Sequence, residues 1–426
     1  MLTSAEADLA RRDPDIPGLK TVLDPDAFIA ALRRVASGPE MDRAEIAYVK
    51  YKPRVFCRVA YRVNVGGAEH DLDVRACRPD DLASWHAKAG EPGEPGPFES
   101  GRMVLGDDAI LVSVFPNDLR LAQLRSLTDR EARGRILREL LPGRPELWDA
   151  DIRCLRYWPE RRYSAELSGS NGSRALLKAY TPRGYARARR RAEAFRSHSP
   201  LRIARLLGCS DHHRLLAFEW LPGTLMAERF AAGEVDWQVM ADTGAALAAL
   251  HTQAPEGLES WTREDETAYL LSLSQEIAFI CPELSGPAGK LARRLVSRLT
   301  GAPTMNAPVH GDFSDGQVLI DGRQVAIVDL DSSYRGDPAD DLGSLLAQLE
   351  TYELSGRLAP GAVEQLGYAL LGGYRRASRH ATADRIGVYM AAGLLRRARF
   401  AFRARKADWP RIVEASLARA DAILDT

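Results

Sequence analysis

Residues 309–343 read VHGDFSDGQVLIDGRQVAIVDLDSSYRGDPADDLG. His310, Gly311 and Asp312 fall on a turn, and Gln317 follows five residues after Asp312, where a strand begins. An apolar run over 325–328 ends at Asp329, and Asp321-Gly322 offers a two-residue hairpin that lays strands 318–320 and 325–330 side by side. Asp312, the carbonyl oxygen of Gln317 and Asp329 then converge on one end of the hairpin. One carboxylate free to take a proton, with a second carboxylate and an amide oxygen for a hard divalent cation, is the set that Mg²⁺-assisted phosphoryl transfer requires. The free carboxylate orients and deprotonates a hydroxyl while the cation offsets phosphate charge.

Outward from this stretch the two halves of the chain differ. Residues 236–251, 265–280, 286–299, 340–352, 361–379, 384–404 and 408–424 carry helical spacing. The first half reads as strands: 46–65 is β-branched and aromatic and ends in Gly66-Gly67, with 72–76 as the returning strand and 110–115 as another. Residues 118–140 have helical periodicity, and 89–100 (AGEPGEPGPFES) reads as an exposed loop. A small β-rich lobe followed by a larger helical lobe with one embedded hairpin is α+β, not a doubly wound sheet.

The strand pattern occurs twice. Tyr51-x-Pro53 matches Tyr157-x-Pro159 at an offset of 106, Arg75 and Pro79 match Lys178 and Pro182 at 103, and Phe115-Pro116 matches Leu221-Pro222 at 106. Matches at nearly constant offset predict a degenerate internal duplication, against the plainer reading that two hairpins with proline turns look alike.

Residues 310–342 resemble the aminoglycoside phosphotransferase/choline kinase-like superfamily, whose fold is that of protein kinases. The resemblance lies in His310-Gly311-Asp312, in Val328-Asp329 at a strand end, and in Gly336-Asp337-Pro338-Ala339-Asp340-Asp341-Leu342. Gln317 stands where the family has Asn, and bacterial maltokinases share that H-G-D-x-x-x-G-Q variant. The resemblance implies a two-lobe kinase-like fold and γ-phosphate transfer from ATP (or GTP) to a hydroxyl of a sugar, amino sugar or natural product. It implies Asp312 as the base, Gln317 and Asp329 as Mg²⁺ ligands, and His310, Asp337 and Asp341 as structural support.

A kinase-like small lobe needs a lysine on its third strand and a carboxylate on the next helix. Lys178 lies in the apolar strand ALLKAY, and Glu193 is the only acid of the arginine-rich helix at 183–198. The bland alternative is a snorkelling lysine and a surface i,i+4 pair for Glu193. Residues 219–223 (EWLPG) resemble the family's hinge, with Glu219 and Leu221 at the adenine, and His251 reads as structural. The turn at 158–162 (WPERR) lacks the glycine of a phosphate cradle. The expected divisions are a cap over 1–140, resembling a second small lobe without its chemistry, a nucleotide lobe over 141–222 and a catalytic lobe over 223–426.

Composition narrows the rest. Lys+Arg and Asp+Glu both number 58, which argues against a nucleic-acid partner. Only seven of the basic residues are lysine, so Lys178 in an apolar strand stands out. Residues 375–426 hold twelve basic and five acidic side chains, which tilts away from a polycationic acceptor. Five scattered cysteines suggest neither a disulfide framework nor a zinc site, and no signal peptide or membrane span is evident, so a cytoplasmic location is expected. The rival reading is a pseudokinase that binds nucleotide or a protein partner, suggested by Gln317, the glycine-free turn and the degenerate repeat.

Overall fold

The computed structural model describes residues 2–38, 40–89, 93–234, 236–378, 380 and 382–425. The chain separates into two compact units. One is Met1–Tyr185 with Gly208–Ala217 and Phe400–Pro410; the other is Ala186–Leu207 with Phe218–Arg399 and Arg411–Thr426. The residues of the expected cap and most of those of the expected nucleotide lobe fall in one unit, and the boundary at 185/186 lies inside a helix.

The first unit begins with α1 (Ser4–Arg12), α2 (Leu19–Leu23) and α3 (Pro25–Arg33). A capping box between Thr3 and Glu6 starts α1, and the Asp24 side chain caps α3 just ahead of Pro25. Strands β1 (Met41–Lys52), β2 (Phe56–Val65) and β3 (Ala68–Cys77), then α4 (Pro79–Ala89), β4 (Arg102–Leu105) and β5 (Ile110–Val114), give a five-stranded sheet of order β1-β2-β3-β5-β4. Val59, Tyr61, Val63 and Val65 alternate along β2 on its buried face, and Tyr61 stacks on Phe28 of α3 at 4.4 Å.

After α5 (Gln123–Thr128) and α6 (Arg130–Leu140) come β6 (Asp151–Trp158), β7 (Arg162–Ser168), β8 (Arg174–Tyr180), α7 (Pro182–Ala194), β9 (Leu201–Arg202), β10 (Leu206–Ser210) and β11 (Leu215–Glu219). The second sheet has the order β10-β11-β8-β7-β6, the same topology as the first: a three-strand meander, a helix, then two strands with the later one beside the third. Arg75 and Lys178 are each the third residue from the end of their strand, and Pro79 and Pro182 each open the following helix. One expectation needs correcting. A helix, α4, follows β3 directly and runs to Ala89, so the stretch 89–100 read as a loop begins on the last residue of a helix. Of that loop, residues 90–92 lie outside the described residues, and 93–100 carry neither helix nor strand.

The turn between β6 and β7 explains why no glycine is needed there. Glu160, in left-handed backbone (φ 53°), turns its side chain inward to only 3% exposure. Arg75 Nη2 donates to both of its carboxylate oxygens at 3.0 and 2.9 Å, Arg58 ion-pairs with it, and Arg120 lies at 3.2 Å. Asp118 accepts from the Glu160 amide at 2.7 Å and from the Tyr157 hydroxyl at 2.8 Å, while Asp73 pairs with Arg58 at 3.0 Å. Burial raises the Asp73 carboxyl to about 7 against the pull of Arg58. Arg75 also lies 3.8 Å from the Trp85 ring. Arg58 and Arg75 come from β2 and β3 of the first sheet and the turn from the second, so a buried charge cluster fastens the two sheets together.

The second unit contains β12 (Thr224–Leu225), α8 (Met226–Ala231), α9 (Trp237–His251), α10 (Arg263–Ile280), α11 (Ser285–Thr300), β13 (Ala307–Val309), β14 (Val318–Asp321), β15 (Gln324–Ile327), β16 (Tyr334–Gly336), α12 (Pro338–Leu354), α13 (Ala362–Ala377) and α14 (Ala383–Ala398). The short α15 (Phe400–Arg403) belongs to the first unit, and α16 (Trp409–Ile423) closes the chain. Strands β12, β14, β15 and β9 form one sheet, and β13 pairs with β16. Helix α9 is buried along most of its length and crosses α13 at close range: a Cβ on Gly244 would lie 2.0 Å from the Leu370 carbonyl oxygen. Each helical span expected in this half contains a helix, but 384–404 is broken at Arg399 into α14 and α15, and residue 379 of the span 361–379 lies outside the described residues.

Glu160→Ala strands Arg58 and Arg75 without their shared carboxylate, so a loss of about 3–5 kcal/mol is expected, read as a fall in Tm and in the urea midpoint.

Candidate active site

Strand β13 delivers the chain into the loop His310-Gly311-Asp312. The loop's shape is set by one side chain from the first turn of α12. Asp341, 1% exposed, accepts hydrogen bonds from the His310 amide (2.6 Å), the Gly311 amide (2.9 Å) and His251 Nε2 of α9 (2.9 Å). Burial by itself would raise the Asp341 pKa, but the His251 hydrogen bond and the neighbouring histidines outweigh it and hold it below its usual value. His251 Nδ1 meets the Tyr374 hydroxyl at 3.0 Å, so this histidine has the structural role expected of it.

Gly311 must be glycine. Its φ is +79°, and a Cβ there would lie 2.5 Å from the Tyr334 ring and 2.6 Å from the Ser332 carbonyl oxygen. His310 is fully buried, with Nε2 on the Val328 carbonyl at 2.9 Å and Nδ1 accepting from the Asp312 amide at 3.3 Å. Asp312 is exposed. The loop thus fixes the backbone on either side of a carboxylate that faces solvent.

Gln317 closes a short 3₁₀ turn, Asp315–Gln317, immediately before β14. Its carbonyl oxygen accepts from the Val328 amide at 2.9 Å, which brings it next to Asp329, and its side-chain Oε1 accepts from Ser314 Oγ at 2.5 Å. The hairpin turn differs from expectation by one residue: Asp321 pairs with Gln324, so Gly322-Arg323 forms the loop. Asp329 lies two residues beyond β15 rather than on it, with φ +68° and ψ +47°. Left-handed backbone in a non-glycine residue costs on the order of 1–2 kcal/mol and is concentrated at functional sites.

The rest of the G-D-P-x-x-D-L segment is structural. Asp337 caps α12 through the Ala339 amide at 3.0 Å and takes a two-pronged ion pair from Arg385 at 2.6 and 3.2 Å. Asp340 accepts from Arg396 (2.6 Å) and the Tyr334 hydroxyl (2.5 Å), and Arg396 also reaches Glu266 at 3.1 Å. Burial pushes the Asp340 carboxyl up to about 6 against Arg396. Sequence reasoning missed Asp340, Arg385 and Arg396 as a set, because their partners are 56 and 48 residues apart in the chain.

The remaining expected site residues are distributed as follows. Lys178, 6% exposed, lies in β8 opposite Ser164 of β7, in the first unit. The others lie in the second unit. Glu193 is half exposed and ion-pairs with Arg189 at 3.5 Å, the surface i,i+4 arrangement weighed as the plainer alternative. The Glu219 carboxylate pairs with Arg202 at 3.0 Å, while Leu221 is buried. Among the described residues no group of three or more His, Cys, Asp and Glu side chains is placed to hold a metal. One carboxylate and one amide oxygen fit a cation that takes most of its ligands from phosphates and water. No helix of the described residues is long and apolar enough to cross a membrane.

Residues 160–380, just over half of the chain, match the model of a family described as the phosphotransferase enzyme family. The chain belongs to that family, and its α+β architecture is of the class expected from the sequence. No curated protein sequence matches it. Solved structures similar to it include a thermostable mutant of aminoglycoside phosphotransferase APH(4)-Ia (16% identity, 65% of this chain and 94% of that one, TM-score 0.45). Macrolide 2'-phosphotransferase MphH from Brachybacterium faecium is another (17%, 63% and 93%, 0.43). A choline/ethanolamine kinase family protein from Mesorhizobium loti is a third (18%, 72% and 94%, 0.46).

Because Asp341 is stabilised as a carboxylate, its contribution is present above the usual aspartate pKa and lost as pH falls through the lowered one. Asp341→Asn is expected to cost about 3 kcal/mol near neutrality, with the gap to wild type narrowing below about pH 4; Tm measured across pH 3–7 checks this.

Proposed function

We propose that the protein transfers the γ-phosphate of ATP, with GTP the other candidate donor, to a hydroxyl of a small molecule. The reading is carried by one observation: an exposed Asp312 on a loop locked by Asp341, beside the paired backbone of Gln317 and Val328. Asp312 accepts the proton of the acceptor hydroxyl and orients its oxygen for attack. Asp329 and the Gln317 amide oxygen would hold Mg²⁺, which when bound offsets the charge of the phosphates. Lys178, buried in an apolar strand, is assigned to the α- and β-phosphates, and backbone groups between Glu219 and Leu221 to the adenine. APH(4)-Ia has been solved as a ternary complex with ADP and hygromycin B, which supports a nucleotide and a small-molecule acceptor in the same family.

The acceptor class that fits is a sugar, amino sugar or natural product, with the basic C-terminal region disfavouring a polycation. The first sheet is read as a cap whose arginines hold the β6–β7 turn, the phosphate loop of this reading, through Glu160. That gives Arg75 a structural task in place of the nucleotide contact assigned to Lys178.

ATP is expected to raise the Tm only when Mg²⁺ is present, and a screen over sugars and aminocyclitols should show turnover that Asp312→Asn lowers by about a thousandfold or more. Turnover unaffected by that substitution would assign the base elsewhere, and absence of any stabilisation by ATP would favour a protein that has lost nucleotide binding.

A further inference from the structure

Helix α7 carries Arg183, Arg187, Arg189, Arg190 and Arg191, and one of these is unlike the rest. Arg187 and Arg190 are half exposed and approach Glu259 at 3.6 and 3.8 Å. Arg191 is 6% exposed, and its Nη1 donates to the main-chain carbonyl of Asp331. Its nearest described carboxylate, Glu259, is no closer than 4.0 Å. Burial lowers the Arg191 pKa to about 10, with the neighbouring Arg187 charge acting the same way. A desolvated guanidinium spent on a neutral carbonyl is an expensive arrangement for surface packing alone.

The carbonyl it grips belongs to the 3₁₀ turn Leu330–Ser332, whose first flanking residue is Asp329 in left-handed backbone. Aspartate enters left-handed backbone more readily than most residues, but the conformation is still the less favoured one and is held by its surroundings. The Ser333 amide closes the turn on the Leu330 carbonyl at 3.1 Å, and Arg191 ties the carbonyl between them to α7. Glu193, on the same helix, points to a surface pair with Arg189.

We propose that Arg191 is a positioning residue of the metal site: through the Asp331 carbonyl it keeps the Asp329 turn in the conformation that offers the carboxylate to Mg²⁺. The proposal rests on reading Asp329 as a metal ligand. It makes α7 an element that supports catalysis through an arginine and a main-chain oxygen.

The test is a MgCl₂ titration of the ATP-dependent rise in Tm, run on wild type, Arg191→Met, Arg191→Lys and, as a control, Arg190→Met. Loss of a group that orients a metal ligand typically weakens the metal by ~10-fold or more, so Arg191→Met should need about tenfold more Mg²⁺ for half the rise. Arg191→Lys, which keeps one charged donor, should fall between it and wild type, and Arg190→Met should match wild type. A lower Tm in Arg191→Met with an unchanged Mg²⁺ half-point would overturn the proposal, since a purely structural role predicts that pattern. If Arg191→Met does not fold, a wild-type half-point in Arg191→Lys overturns it equally. If ATP stabilises wild type but Mg²⁺ has no effect, the metal reading of Asp329 falls together with this proposal. If ATP does not stabilise wild type at all, the phosphotransfer reading itself falls.

Discussion

Three N–H groups from two separate segments converge on the Asp341 carboxylate, and most of the catalytic geometry follows from that convergence. The His310 and Gly311 amides cannot satisfy one another in so tight a loop, and burial removes water as a partner. A buried anion with three donors resolves both problems and fixes the loop from below. The carboxylate needs a firm base of its own, supplied by the Asp337 cap on α12 and by His251 on the buried helix α9. Gly311 then turns through a conformation closed to other residues, leaving Asp312 in solvent. An aspartate held by its backbone and exposed to solvent, in the role of base proposed for it, needs little reorganisation to meet a hydroxyl.

A second buried set of charges does for the first unit what Asp341 does for the second. Glu160 turns its side chain into the protein, so the β6–β7 turn is anchored from behind by Arg58 and Arg75. A glycine-rich loop gains close approach through flexibility; this turn has a fixed shape set by an ion-pair cluster. The first sheet therefore has a physical link to the second that needs no ligand. The matching strand orders of the two sheets make this link understandable: Arg75 sits where the second sheet has Lys178, and its charge is spent on the turn.

Much of the fold was legible because it rests on local patterning. Helical spacing marked the helices of the second half, and Gly66-Gly67 marked a hairpin that forms where expected. The H-G-D stretch was legible as chemistry because residue types and spacing carry it. What stayed hidden depends on contacts between residues far apart in the chain. Nothing near Glu160 announces that arginines about a hundred residues earlier will bury it, and WPERR looked like a poor phosphate loop for that reason. Arg191 was one of many arginines until burial separated it from Arg187 and Arg190. The Asp329 turn was read as a strand end because its apolar approach is strand-like, and a left-handed residue two positions past the strand leaves no mark in that pattern. Glu193 was singled out as the lone acid among arginines, and that same setting gives it a partner on its own helix, Arg189.

The central claim is that the end of the 318–327 hairpin is a magnesium site with Asp312 beside it as the base. A crystal structure with Mg²⁺ and a non-hydrolysable ATP analogue tests it most directly. The expected result has the metal on Asp329 and the Gln317 amide oxygen, with Asp312 outside its coordination shell. A metal held by Asp312, or a nucleotide bound without contact to Asp329, would contradict it.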